Sequence, residues 1–230
     1  LTYAPECLPP DGSLHYEEFQ AFIKRLRRRV QYHSDLKIRF FMCGEYGEHF
    51  SRPHYHAIIF GYDFPDKVFW SRNNGHPLYR SPMLEELWPF GYCTVGDVTF
   101  ESAAYVARYV TKKITGKDAD DWYQGREPEF CQCSRKPGIA RDWIEEYMND
   151  VFPVDKVILA NNIMMRPPRY FDAVFKEYDD EAFEKIRDQR KARAKNLEKK
   201  GELTRQRLKV KEQCKLMQTD KLKRGFESDS

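Results

Sequence analysis

Apolar positions near the start of the chain change period. From Tyr16 to about Val30, Phe19, Phe22, Ile23, Leu26 and Val30 recur at spacings of three and four, which predicts an amphipathic helix. Lys24, Arg25, Arg27, Arg28 and Arg29 crowd its C-terminal end, where cations suit the helix dipole. Leu36 to Glu45 and His54 to Tyr62 are dense in aromatic and β-branched residues and read as two strands. The Gly47–Pro53 connection makes them an antiparallel hairpin. Residues 63–81, rich in Pro, Asn, Gly and Asp, read as a surface excursion. A short helix around Met83–Trp88, a strand from Tyr92 to Val98 and a helix from about Glu101 to Ile114 follow, the last ending before Gly116. Residues 116–137 read as loop. A helix near Arg141–Met148 and a strand near Val154–Leu159 come next. Pro167-Pro168 delays the following helix to about Arg169, and the rest is long, charged helical sequence with a break near Gly201. Its apolar positions (Ile186, Leu197, Leu203, Leu208, Leu216) do not sustain a heptad, so a coiled coil is not indicated.

Helices interleaved with hairpin-linked strands predict an α+β fold with helices packed on a central antiparallel sheet. Apolar residues at 41% and aromatics at 15% suit a folded body and exclude wholesale disorder. No apolar run is long enough to span a bilayer, and no signal peptide is visible. Leu1-Thr2-Tyr3 looks like the end of a strand, which reads as an N-terminal truncation. The six cysteines lack the paired spacing of a zinc ribbon or disulfide framework, and read as reduced thiols in a cytosolic setting. The net charge of +3 conceals an asymmetry: Glu184 to Arg224 holds sixteen Lys/Arg against six Asp/Glu, and the remainder 23 against 30. The basic end suits a polyanionic partner.

Two features carry chemistry. In Arg52-Pro53-His54-Tyr55-His56-Ala57, side chains on a strand alternate faces, so His54 and His56 project together, roughly 7 Å apart along the chain. Tyr55 points into the opposite layer. Two imidazoles need a third ligand, and Glu45, at the end of the preceding strand, is the best candidate; Glu48 and His49 are alternatives. A mixed His/His/carboxylate set suits Mg²⁺ or Mn²⁺ as a Lewis acid on a phosphate, and Zn²⁺ is chemically possible. The second feature is Tyr105-Val106-Ala107-Arg108-Tyr109 on a helix, where residues four apart share a face. Lys112 and Lys113 follow within a turn, and either can contact a phosphate or assist proton transfer. Either feature alone fits ordinary packing. Together, a metal strand and paired phenols point to phosphodiester transfer through a tyrosine nucleophile.

These residues resemble the HUH endonuclease superfamily, named for histidine–hydrophobic–histidine, and more narrowly the rolling-circle replication initiators of microviruses, gokushovirus type. Leu1-Thr2-Tyr3 with Leu8-Pro9 and Asp11-Gly12-Ser13-Leu14 resembles the first family motif. Cys43-Gly44-Glu45-Tyr46-Gly47, running to Pro53-His54-Tyr55-His56, resembles the metal motif. Gly96 to Lys113 resembles the two-tyrosine motif, and Ser134-Arg135-Lys136-Pro137-Gly138-Ile139 also looks familial. The resemblance implies an RRM/ferredoxin-like core and a nick at a phage origin in single-stranded or replicative-form DNA. One tyrosine would form a 5′-phosphotyrosine link and leave a 3′-OH primer; the second would act after a round of synthesis and release a circle. It implies Mg²⁺ or Mn²⁺ at Glu45, His54 and His56, and host polymerase and helicase as partners in the bacterial cytoplasm. The candidate DNA contacts are Arg108 and, in the tail, Lys191, Arg193, Lys195, Lys199 and Lys200. The expected division is an endonuclease domain over 1–160, a connection over 161–183 and a basic helical tail over 184–230. Another HUH nickase (plasmid initiator, relaxase or transposase) and a non-catalytic nucleic-acid-binding module are the competing readings.

Overall fold

A computed structural model describes residues 1–32, 35–47, 50–108, 113–159 and 162–220. Glu48, His49, Tyr109 and Lys112 therefore lie outside the described residues. The described chain forms two compact units, one within Leu1–Lys136 and one within Pro137–Lys223.

In the first unit the helix read from the 3–4 periodicity is α1 (Tyr16–Gln31), burying Phe19, Phe22, Ile23, Leu26 and Val30. Glu17 and Glu18 in its first turn and Arg28 and Arg29 in its last match the helix dipole at both ends. The hairpin is β1 (Arg39–Tyr46) and β2 (Pro53–Phe60), antiparallel, with Glu45 opposite His54 and Cys43 opposite His56. Thr2 adds an antiparallel bridge to His54 on the outer side of β2. This bridge depends on Gly91: a Cβ there would lie 2.2 Å from the Ala4 nitrogen. The close approach lets Thr2 and Ala4 donate to the Tyr92 and Phe90 carbonyls at 2.9 and 2.8 Å.

Pleating sends Tyr55 to the α1 side, where it is 1% exposed and joins Phe19, Phe40, Tyr3 and Trp88 in the main core. Its hydroxyl bonds the Tyr3 hydroxyl, accepts from the His15 amide and donates to the His15 carbonyl. A buried phenol satisfied at three points fixes the height of β2 against α1.

Two loops expected from the sequence contain strands. Residues 130–133 form β6 (Phe130–Cys133), which pairs antiparallel with β1, Cys131 opposite Cys43, giving the order β2-β1-β6. The supposed excursion is a hairpin, β3 (Val68–Asn73) and β4 (His76–Arg80). Asn74-Gly75, with φ of 45° and 84°, turns it, and two adjacent positive φ values are what a two-residue hairpin turn needs. β5 (Val95–Gly96), shorter than the expected Tyr92–Val98, completes a β3-β4-β5 sheet. Helices α2 (Pro82–Leu87), α3 (Phe100–Arg108) and α4 (Ala119–Tyr123) close the unit. Lys113–Thr115 are not helical, so the helix expected over 101–114 is described only to Arg108.

The second unit contains α5 (Arg141–Val151), a short β7–β8 pair (Val157–Ile158, Met164–Met165), α6 (Arg169–Tyr178), α7 (Asp180–Lys199) and α8 (Arg205–Asp220). Its start at Pro137 falls inside the 1–160 span expected for the first domain, because α5 shares a core with α6 and α7: Ile144, Met148, Phe152, Val174, Phe175 and Ile186. Arg190 on α7 makes two-oxygen contacts with both Asp155 and Asp172, at 2.6–3.1 Å. The α+β class and the antiparallel central sheet are as expected. No helix among the described residues is long and apolar enough to cross a membrane.

Arg190, Asp155 and Asp172 side chains are at most 14% exposed, so removing the cation leaves two buried carboxylates facing each other. Arg190→Ala should lower stability by about 3 kcal/mol, read as a lower midpoint in urea. Burial by itself would raise the Asp155 pKa, but hydrogen bonds and charge from Arg190, with Arg193 and Arg166, win and lower it. Its stabilising contribution is therefore full above the unfolded carboxylate pKa of about 4 and is lost as pH falls through the lower folded value. Wild type should lose stability in that acid range, and Arg190→Ala should lose less over the same interval.

Candidate active site

The face of the sheet opposite α1 carries Cys43 and Glu45 from β1 and His54, His56 and Ile58 from β2, a consequence of period-two alternation in both strands. Glu45 is 4% exposed. Its Oε1 lies 2.7 Å from His54 Nε2 and 3.0 Å from His56 Nε2. The imidazoles meet edge to face with centroids 5.0 Å apart.

Burial on its own would raise the Glu45 pKa, but the hydrogen bonds from His54 and His56 outweigh it and bring the value down to about 2. The carboxylate is charged at neutral pH. His56 moves down as well: its own burial disfavours the imidazolium more than the Glu45 carboxylate favours it. An ionised carboxylate and a neutral imidazole are the protonation states in which both are metal ligands.

His54 adds a sharper test of fit. Its Nδ1 lies 3.2 Å from the Arg52 carbonyl, and its Nε2 faces the Glu45 carboxylate. Both neighbours only accept hydrogen bonds, so the ring satisfies them with a proton on each nitrogen or with a cation in place of the Nε2 proton. An imidazole that donates from one nitrogen to a carbonyl and presents the other to a metal is the usual arrangement around metal-bound histidines. The three ligand atoms lie within 4.8 Å of one another, and theirs is the one His/Cys/Asp/Glu group among the described residues close enough to share an ion. The residues fit a divalent metal.

Helix α3 packs over this face. Val106 is buried against Cys43 and Ile58, and Tyr105, Ala103 and Cys131 lie around them. Tyr105 meets His56 edge to face with ring centroids 5.7 Å apart. Thr99 starts the helix: its carbonyl accepts from Ala103, its hydroxyl accepts from the Ser102 amide, and Ser102 Oγ accepts from the Thr99 amide. The Arg108 guanidinium sits 5.9 Å from the centre of the Tyr105 ring.

The family model named for replication-associated protein ORF2 matches residues 1–114, a span that holds Glu45, His54, His56 and Tyr105. The chain belongs to this family. It is 34% identical over 183 residues to replication-associated protein VP4 of Bdellovibrio phage phiMH2K, covering 77% of this chain and 56% of the relative. It is also 34% identical over 200 residues to replication-associated protein ORF4 of Chlamydia phage 1, covering 81% and 49%. Replication-associated protein ORF2 of Spiroplasma virus 4 is 30% identical over 187 residues, covering 78% and 54%. The chain thus spans about half the length of the curated relatives it matches. No solved structure matches it.

Of the site residues expected from this replication-associated sequence, Glu45, His54, His56, Tyr105 and Arg108 come together. Lys113 is exposed and lies outside α3. In the tail, Lys191 pairs with Asp188 at 2.9 Å and Arg193 with Asp155 at 3.1 Å, while Lys195, Lys199 and Lys200 are exposed. Sequence reasoning missed Arg52, whose carbonyl orients His54, and the Cys43–Ile58 seat under α3. Ile58 was findable, because it lies two residues beyond His56 on the same face.

If this cluster holds a divalent ion, millimolar Mn²⁺ should raise the melting temperature of the wild type, since a ligand at 100 times its Kd adds about 2.7 kcal/mol. His54→Ala and Glu45→Gln should abolish the rise. Absence of any rise in the wild type would exclude the metal reading.

Proposed function

We propose that this protein nicks DNA to start phage replication, with Tyr105 as a nucleophile and Glu45, His54 and His56 holding Mg²⁺ or Mn²⁺. The observation that carries this reading is the contact of Tyr105 with His56, which joins the phenol to the carboxylate–imidazole cluster.

In the reaction the Tyr105 oxygen bonds to the scissile phosphorus and the bond from phosphorus to the 3′ oxygen breaks. The phenol proton is given up and the 3′ oxygen gains one, so the products are a 5′-phosphotyrosine link and a 3′-OH primer. The metal, when bound, supplies Lewis-acid polarisation of the phosphate. A phenol titrates at about 10 in water, so attack at neutral pH needs positive charge nearby. Arg108, beside the Tyr105 ring, supplies it. Burial of Val106 between Cys43 and Ile58 holds the helix while the phenol turns over.

Tyr109 is the second nucleophile in this reading, four residues along the same sequence, with Lys112 or Lys113 assisting at the phosphate. The regenerated origin is then cut by the second tyrosine and the first link resolved, releasing a circle. Single-stranded and replicative-form DNA at the phage origin are the substrates, and the tail lysines Lys195, Lys199 and Lys200 add general affinity. The endonuclease activity belongs to residues 1–160, and a host polymerase and helicase extend and unwind the template in the bacterial cytoplasm.

Incubation with origin-containing single strands and Mn²⁺ should give a covalent peptide–nucleotide adduct. Tyr105→Phe combined with Tyr109→Phe should reduce the adduct by at least about a thousandfold, the scale of losing a nucleophile, while DNA binding stays within about twofold. Adduct persisting in the double variant would exclude these nucleophiles.

A further inference from the structure

The β3-β4-β5 sheet leaves large rings in solvent. Val68, Phe69 and Trp70 are 65%, 56% and 59% exposed, three consecutive apolar side chains on a strand. Clustered exposure of that kind marks an interaction surface. The register pairs Phe69 with Tyr79 and Arg72 with Pro77, so Phe69, Tyr79 and Arg72 share one face; a shift at Trp70 interrupts the ladder between Phe69 and Ser71.

Each ring has a cation beside it. Arg72 lies 5.9 Å from the Phe69 centroid, Arg80 5.0 Å from Trp70 and Lys67 5.1 Å from Tyr79. Arg80 and Lys67 also pair with Glu85 and Asp63. Arg72 donates to the Gly75 carbonyl and has no carboxylate partner among the described residues. A protein-binding patch is depleted of charge at its centre. A flat ring with a guanidinium at its edge instead matches an unpaired base and its adjoining phosphate.

The sheet is also tied to the site. β5 ends at Gly96, the Asp97 carbonyl accepts from Ser102 Oγ, and the Thr99–Ser102 cap opens the helix that carries Tyr105.

We propose that the β3-β4-β5 sheet is a binding site for single-stranded DNA, with bases stacked on Phe69 and Trp70 and Arg72 on a phosphate. It rests on the nicking function proposed above and assigns the strand a second foothold outside the metal cluster. Binding is measured by anisotropy with a labelled single strand and with the matching duplex, in chelator so that no cleavage occurs. Phe69→Ala or Trp70→Ala should weaken single-strand binding about tenfold, with an unchanged salt slope and little effect on duplex. Arg72→Ala should lower the salt slope by about 0.7. Trp122→Ala, removing another exposed ring of the same unit, should leave affinity unchanged. The site is overturned if the Phe69→Ala/Trp70→Ala double variant binds the single strand like wild type, or if duplex binding falls equally. Adduct formation by the wild type in Mn²⁺ is scored separately. Its absence would remove the nicking function, while ring-dependent single-strand binding would still support the sheet as the binding site.

Discussion

The register of the β1–β2 hairpin is the constraint on which the first unit depends. With Glu45 opposite His54 and Cys43 opposite His56, one alternation serves both layers. It sends Tyr55 into the α1 core and His54, His56 and Ile58 under α3. A slip of one residue would reverse every side chain, burying two imidazoles among Phe19 and Trp88 and exposing Tyr55. The core therefore enforces the chemistry. The Tyr55 hydroxyl, held by Tyr3 and His15, fixes the strand from one side while Val106 seats the helix on the other.

A buried carboxylate is costly unless paired, and at 4% exposure Glu45 would hold its proton if burial acted alone. Two hydrogen bonds reverse that, yet the same burial pushes His56 toward the neutral form. The cluster thus holds a carboxylate between two imidazoles that differ in their other neighbours. That asymmetry gives His54 and His56 different work. His54 is oriented by the Arg52 backbone, and His56 is the ring that meets Tyr105.

Much of this was legible in the sequence. The spacing of Phe19, Phe22, Ile23, Leu26 and Val30 marked α1, and His-Tyr-His on a β-branched run marked the strand and its two faces. The Glu45 assignment followed from hairpin geometry. What was missed had weaker or misread local signals. Phe130-Cys131-Gln132-Cys133 is four residues long, and its strand character comes from pairing with β1, a long-range contact that period counting does not see. β3–β4 was hidden by its own turn residues: Pro, Asn and Gly suggested loop, although Asn74-Gly75 between aromatic segments is a hairpin signal. In the tail, the charge count could not tell Arg190, locked between Asp155 and Asp172, from the solvated Lys195 and Lys199.

That last distinction bears on how affinity and chemistry divide along the chain. A local excess of ten positive charges over 184–224 suggested that the tail holds DNA. Arg190 and Arg193, however, act inside the second unit, where they neutralise the buried Asp155. Formal charge therefore overstates what the tail offers a polyanion. The first unit, outside that excess, has the opposite arrangement: single cations set beside exposed rings on a sheet that leads into α3. A diffuse cationic tail attracts any phosphate chain, whereas rings read only unpaired bases. Selecting a single strand is then a property of the unit that carries the nucleophile, and the tail adds proximity without choosing the substrate.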